Sequence, residues 1–152
     1  MKRILSMLLC VILVSGLVVF PASAEGTTDD QIIISQSINY ISDDSYYIET
    51  ISVPSIQTYG NAKTGTKSAV FVSSGTAIFT ISVTGTFSYD GSSSKATSAS
   101  GSIATHVPNA TISSRNAYTS GASAIATGSV VYYGITLQKT VTLTCDKNGN
   151  LS

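Results

Sequence analysis

The chain has no tryptophan, one histidine and two cysteines, and charged residues make up only 11% of it. Each scarcity excludes something. A single histidine with a single cysteine beyond residue 24 cannot assemble a zinc site, which needs three or four such ligands. Cys145 alone, once Cys10 is set aside in the N-terminal apolar run, leaves no internal disulfide framework. The basic residues are few and scattered, so no nucleic-acid surface is indicated. No cofactor fingerprint occurs, and no long helical pattern follows the first residues.

What is there begins with an export signature. Lys2 and Arg3 precede an apolar run from Ile4 to Phe20, Pro21 ends it, and Ala22-Ser23-Ala24 offers the small residues a signal peptidase requires. The run is near the lower limit for a membrane span. The cleavage pattern nevertheless predicts release after Ala24, a product starting at Glu25, and no stable membrane anchor. Residues 1–24 are read as signal peptide, 25–55 as an acidic, partly ordered segment, and 56–152 as the folded domain. The acidic reading comes from Glu25, Asp29, Asp30, Asp43, Asp44 and Glu49, all of which precede Lys63, the first base after the signal.

The folded domain is expected to be all-β, a single antiparallel sandwich, with a small β-barrel as the alternative. Thr76 to Tyr89 carries the strongest pattern. Ala77, Phe79, Ile81, Val83, Phe87 and Tyr89 alternate with Thr76, Thr80, Ser82, Thr84, Thr86 and Ser88. Successive strand residues point to opposite faces, so this period of two describes a half-buried strand. Gly85 interrupts the apolar row as a site for a bulge or bend, and Asp90-Gly91 reads as a tight hairpin turn. Tyr46–Val53, Ser68–Val72, Lys95–Thr105, Ser123–Tyr133 and Gln138–Cys145 follow as further strands, the third of them a weakly buried edge. The segment before residue 45 is read as strand or irregular, since Ile32-Ile33-Ile34 is poor helix material. In the last strand Val141, Leu143 and Cys145 share one face, which places the cysteine in the core.

Several stretches imitate catalytic or binding motifs. Gly60 to Ser68 nearly spells a phosphate-binding loop, but one residue is inserted before the lysine and a strand rather than a helix follows, so Tyr59 to Lys67 is read as a basic, turn-rich loop. Ser92-Ser93-Ser94-Lys95 and Lys63-Thr64-Gly65 match fragments of penicillin-recognising enzymes in the wrong order and without the intervening element. His106, the only ready general base, has no nucleophile elbow in the chain to serve. Asp146 to Asn150 opens like a calcium loop but lacks the distal glutamate, and a terminal Asx turn is the better account. No catalytic residue and no metal ligand is therefore assigned.

The ending Val141-Thr142-Leu143-Thr144-Cys145-Asp146-Lys147-Asn148-Gly149-Asn150-Leu151-Ser152, the signal peptide and the Ser/Thr/Gly-rich middle together resemble small exported Gram-positive proteins with no assigned activity. The resemblance implies a compact extracellular β domain and carries no site residues. Function is then read as non-catalytic binding of a protein or glycan partner. Tyr46, Tyr118 and Tyr132 are the candidate contacts, since adjacent members of Tyr46-Tyr47 and Tyr132-Tyr133 must face opposite sides of a strand. A structural or self-assembling extracellular protein is the alternative, and a secreted toxin or bacteriocin-like factor a further one.

Overall fold

A computed structural model describes residues 30–56 and 60–152; the signal reading and its cleavage point lie outside them. The described chain is all-β. Eight strands run β1 Gln31–Ser42, β2 Ser45–Pro54, β3 Ala62–Ser73, β4 Thr76–Tyr89, β5 Ser94–Thr105, β6 Ala110–Ser120, β7 Ser123–Tyr132 and β8 Ile135–Thr144. They form two antiparallel meanders, a five-stranded sheet in the order β1-β2-β3-β4-β5 and a three-stranded sheet in the order β6-β7-β8. The sheets pack face to face and do not close into a barrel, so the sandwich expectation holds and the barrel alternative does not.

Local chemistry explains the meander. Ser74-Gly75 and Tyr133-Gly134 take positive φ at both positions, the twist that joins antiparallel strands through two residues. The Asp90-Gly91 turn is longer than the tight hairpin expected, spanning residues 90–93. There the Asp90 carboxylate accepts the Ser92 and Ser93 amides at 2.9 and 2.8 Å. Residues 106–109 carry the chain from the larger sheet to the smaller, with the His106 amide donating to the Ile78 carbonyl at 2.9 Å.

The alternation in β4 sets the core. Phe79, Ile81, Val83 and Phe87 face the smaller sheet and are buried, meeting Ala124, Ala126 and Val130 of β7 and Val141 and Leu143 of β8. Tyr47, Phe71 and Phe79 form one aromatic cluster with ring centroids 5.2, 5.6 and 6.3 Å apart. Burial pushes the Tyr47 phenol above its ordinary pKa. Gly65 and Gly85 lie directly opposite each other on the inner face, and this bare patch admits Leu151 and Ala124. The register shift expected at Gly85 occurs one step later, between Thr86 and Phe87 on the β5 side.

Three stretches depart from the sequence reading, and the first is Ala110–Ser120, where no strand is expected and β6 forms. Residues 62–67, expected as loop, extend β3, and Lys63, Gly65 and Lys67 face inward because their partners Phe87, Gly85 and Val83 do. The acidic segment before residue 56 supplies β1 and β2, so it belongs to the larger sheet rather than preceding it. β2 is half-buried, while every residue of β1 is exposed.

The C-terminal residues fold back on β8. Thr144 and Ser152 exchange both backbone hydrogen bonds at 2.9 Å, and Cys145 bridges Leu151. The Asp146 carboxylate accepts the Asn148 and Asn150 amides and the Asn150 side-chain amide, each at 2.8 Å. Its oxygens serve a turn, as the terminal Asx reading expects.

Cys145 is 1% exposed. Burial, and secondarily the neighbouring Asp146 charge, holds its thiol above the ordinary pKa. The native protein is expected to resist Ellman-type reagents and to react fully once denatured. Cys145→Ser should cost about 1–3 kcal/mol and Cys145→Ala less. Rapid labelling of the native thiol would contradict this packing.

Candidate interaction surface

The smaller sheet covers β3, β4 and β5, with β8 over β3 and β4, and β7 over β4 and β5. Its outer edge is tied down at β2. Lys139 of β8 donates to the Glu49 carboxylate at 2.7 Å and sits 4.1 Å from the centre of the Tyr47 ring. Lys67 approaches the same carboxylate at 3.9 Å. Tyr47, Ile51 and Val53 on the inner face of β2 are consequently buried. β1 lies one strand beyond this closure, hydrogen-bonded to β2 on one side, with its other edge free among the described strands.

β1 is a strand because its β-branched isoleucines suit extended backbone and its register follows β2. Pairing with β2 assigns its faces. Ile33, Gln36, Ile38 and Tyr40 stand opposite Ser52, Thr50, Ile48 and Tyr46 on the outer face; Ile32, Ser35, Ser37 and Asn39 stand opposite Val53, Ile51, Glu49 and Tyr47 on the inner one. Ile34 and Ile41 fall at register shifts and have no partner. From Gln31 to Ser42 there is no charged residue, whereas Asp30, Asp43 and Asp44 flank the strand. Of the eleven large apolar or aromatic side chains exposed among the described residues, six belong to β1, from Ile34 at 46% to Tyr40 at 71%. The outer-face row continues inward as Ile38, Ile48 and Val70, with the Tyr40 and Tyr46 rings 5.5 Å apart beside it.

The sequence-derived tyrosines are not brought together. Tyr46 lies on the outer face of β2, half-buried against Tyr40, while its neighbour Tyr47 enters the core. Tyr118 stands 45% exposed on β6, opposite Ile125. Tyr132 faces inward at the other end of the smaller sheet and packs against the core. Tyr133 is the exposed member of that pair at 70%, because the strand ends and the chain turns there with φ 47°. Its hydroxyl accepts the Asn109 amide at 2.9 Å. Of the three candidates only Tyr46 joins a larger exposed apolar surface, and β1, which supplies the rest of that surface, had no candidate contact.

The remaining chemistry is structurally occupied. His106 is exposed, and its Nε2 meets the Thr80 hydroxyl at 2.7 Å. A cleft of about 270 Å³ is lined by Asn61, Ser88, Tyr89, Asp90, Ser93, Ser94 and Lys95. Its one carboxylate is held below the usual range by the Ser93 and Ser92 amides it caps. Among the described residues no three His, Cys, Asp or Glu side chains are grouped to hold a metal. The rest of the larger sheet's outer face is a Ser/Thr array paired across strands, as in Thr64–Thr86, Thr66–Thr84 and Ser82–Ser102, the ordinary dress of a solvated antiparallel face.

Comparison of the chain with protein-family models, with curated proteins and with solved structures finds no match.

Proposed function

We propose that this chain is a non-catalytic interaction domain that works outside the cell and docks its partner on β1 and the adjoining outer face of β2. One observation carries the reading: a sheet edge of twelve residues, free among the described strands and uncharged throughout, that exposes six large apolar or aromatic side chains. Soluble domains ordinarily blunt such edges with charge, proline or a covering element. An exposed apolar patch of this kind marks an interaction site more often than it decorates a solvated surface. Backbone groups on the free edge would take an extended strand by β-addition, and the Tyr40–Tyr46 pair offers ring faces to a sugar or an aromatic side chain.

The test sets protein from culture fluid, whose N-terminus should be Glu25, against an Ile38→Lys/Tyr40→Lys variant. Both are screened on arrays of extended peptides and of glycans, and for self-association. Both substitutions fall on exposed positions, so the unfolding free energies should agree within about 0.5 kcal/mol. The expected result is binding by the parent that weakens about tenfold or more in the variant, a loss near 1.4 kcal/mol. Identical behaviour of the two proteins in all three assays would overturn the reading.

A further inference from the structure

We infer that the partner of the β1 edge is a second copy of this chain, paired antiparallel through β1 with Ile38 opposite Ile38 of the second copy, so that two five-stranded sheets join into one of ten. This rests on the interaction reading above and adds the occupant and the register.

The faces of β1 restrict the choices. A twofold axis perpendicular to the sheet keeps outer residues opposite outer residues, so paired positions on the regular part of the strand must share a face. The regular ladder runs from Ser35 to Tyr40, between the two register shifts. Two centred registers use it. One places Ser37 opposite Ser37 of the second copy, the other Ile38 opposite Ile38.

Charge and packing choose between them. With Ser37 on the axis, Asp30 comes beside the Asp43-Asp44 turn of the second copy at both ends, and the like charges oppose pairing. Ile38 would also face Gln36. With Ile38 on the axis, Asp30 passes beyond that turn, and Asp43 and Asp44 come beside Ile33 and Ile32 of the second copy. The outer row then runs Val70, Ile48, Ile38 and on through Ile38, Ile48 and Val70 of the second copy, with Tyr40 beside Gln36. On the inner face Ser37 meets Asn39, two polar side chains able to hydrogen-bond each other. The register centred on Ile38 therefore separates the acidic ends and joins the two apolar rows, and the one centred on Ser37 does neither.

Size sets the strength. A ladder of about five residues a side makes an interface at the low end of specific association. The dimer should accordingly be weak and concentration-dependent rather than obligate. The other outer strands are less suited to the role: β8 carries Lys139, engaged with Glu49, and β5 is flanked by β6, which carries Arg115 and its own register shift.

The register makes the test specific. Residues directly opposite in an antiparallel pair have Cα atoms about 4.5–5.5 Å apart, within the range a disulfide spans. Under mild oxidation Ile38→Cys should form a covalent dimer. Gln36→Cys should not, since it stands four residues out of register, about 13 Å away. A mixture of Gln36→Cys and Tyr40→Cys proteins should give the mixed dimer. The parent, with Cys145 buried, sets the background. Sedimentation of the parent should show a monomer–dimer equilibrium whose midpoint rises about tenfold or more in Ile38→Lys, which sets two like charges opposite each other. A parent that stays monomeric at all concentrations, equal crosslinking of Ile38→Cys and Gln36→Cys, or a dimer locked by Ser37→Cys in place of Ile38→Cys would overturn the inference. If self-association is absent while the β1 variants still lose an arrayed ligand, the interaction reading stands and only the second copy falls.

Discussion

Phe79→Ala is expected to destabilise the domain by about 3–5 kcal/mol, the range for truncating a phenylalanine in a packed core. Phe79 is completely buried, stands opposite Phe71 across β3 and β4, and meets both the Phe71 and Tyr47 rings. Its removal takes away apolar transfer energy and two ring contacts, and leaves a void between two sheets. Each sheet is held by its own ladders, so neither can collapse freely into that void. Against a total stability of about 5–15 kcal/mol for a domain, the loss should lower the urea midpoint markedly with the slope unchanged. Tyr118→Ala is the control. That ring is 45% exposed on β6, and its loss should cost about 0.5 kcal/mol or less. Comparable costs at the two positions would mean that the aromatic cluster is not the centre of the core.

The difference between those two positions also explains what the sequence reveals of this fold. β4 was legible because one of its faces is dry and the other wet, and that asymmetry is written directly into alternating residues. β7 and β8 were legible for the same reason through Ala124, Ala126, Val141 and Leu143. β6 left no trace, since Ala110–Ser120 is exposed along nearly its whole length and has no apolar face to alternate. The loop assigned to residues 62–67 failed differently. Glycine and lysine ordinarily mark turns, but here Gly65 clears space for Leu151 and Lys67 reaches Glu49 from inside the sheet edge. β1 was ambiguous because its isoleucines fall on both faces, the pattern of a strand with no face committed to this chain's core. The same property makes it the candidate surface. Tyrosine counting found Tyr46, the inner boundary of that surface, and passed over Ile38 and Tyr40, whose importance depends on an edge that only the strand order exposes.

Gly85 separates intrinsic strand preference from packing, because the two predict opposite signs. Alanine or valine in place of a strand glycine ordinarily stabilises, since glycine loses more backbone freedom on folding. Gly85 has no positive φ to protect, so nothing in its backbone conformation requires glycine. A Cβ there would lie 2.6 Å from the Ala124 Cβ and 2.8 Å from the Phe87 Cζ. The first neighbour has no side-chain torsion with which to retreat, and the second is a fully buried ring. The intrinsic gain of about 0.4–1 kcal/mol is outweighed by overpacking that costs about 1–3 kcal/mol or more. Gly85→Ala should therefore destabilise, and Gly85→Val more strongly, because the added methyls must push β7 away from β4. Gly75→Ala tests the other cause of glycine use: its φ is 76° with open space around the position, so its cost comes from the backbone alone. Denaturant unfolding of the three variants distinguishes the mechanisms. A neutral or stabilised Gly85→Val would mean that the two sheets do not approach as closely at β4 and β7 as this packing requires.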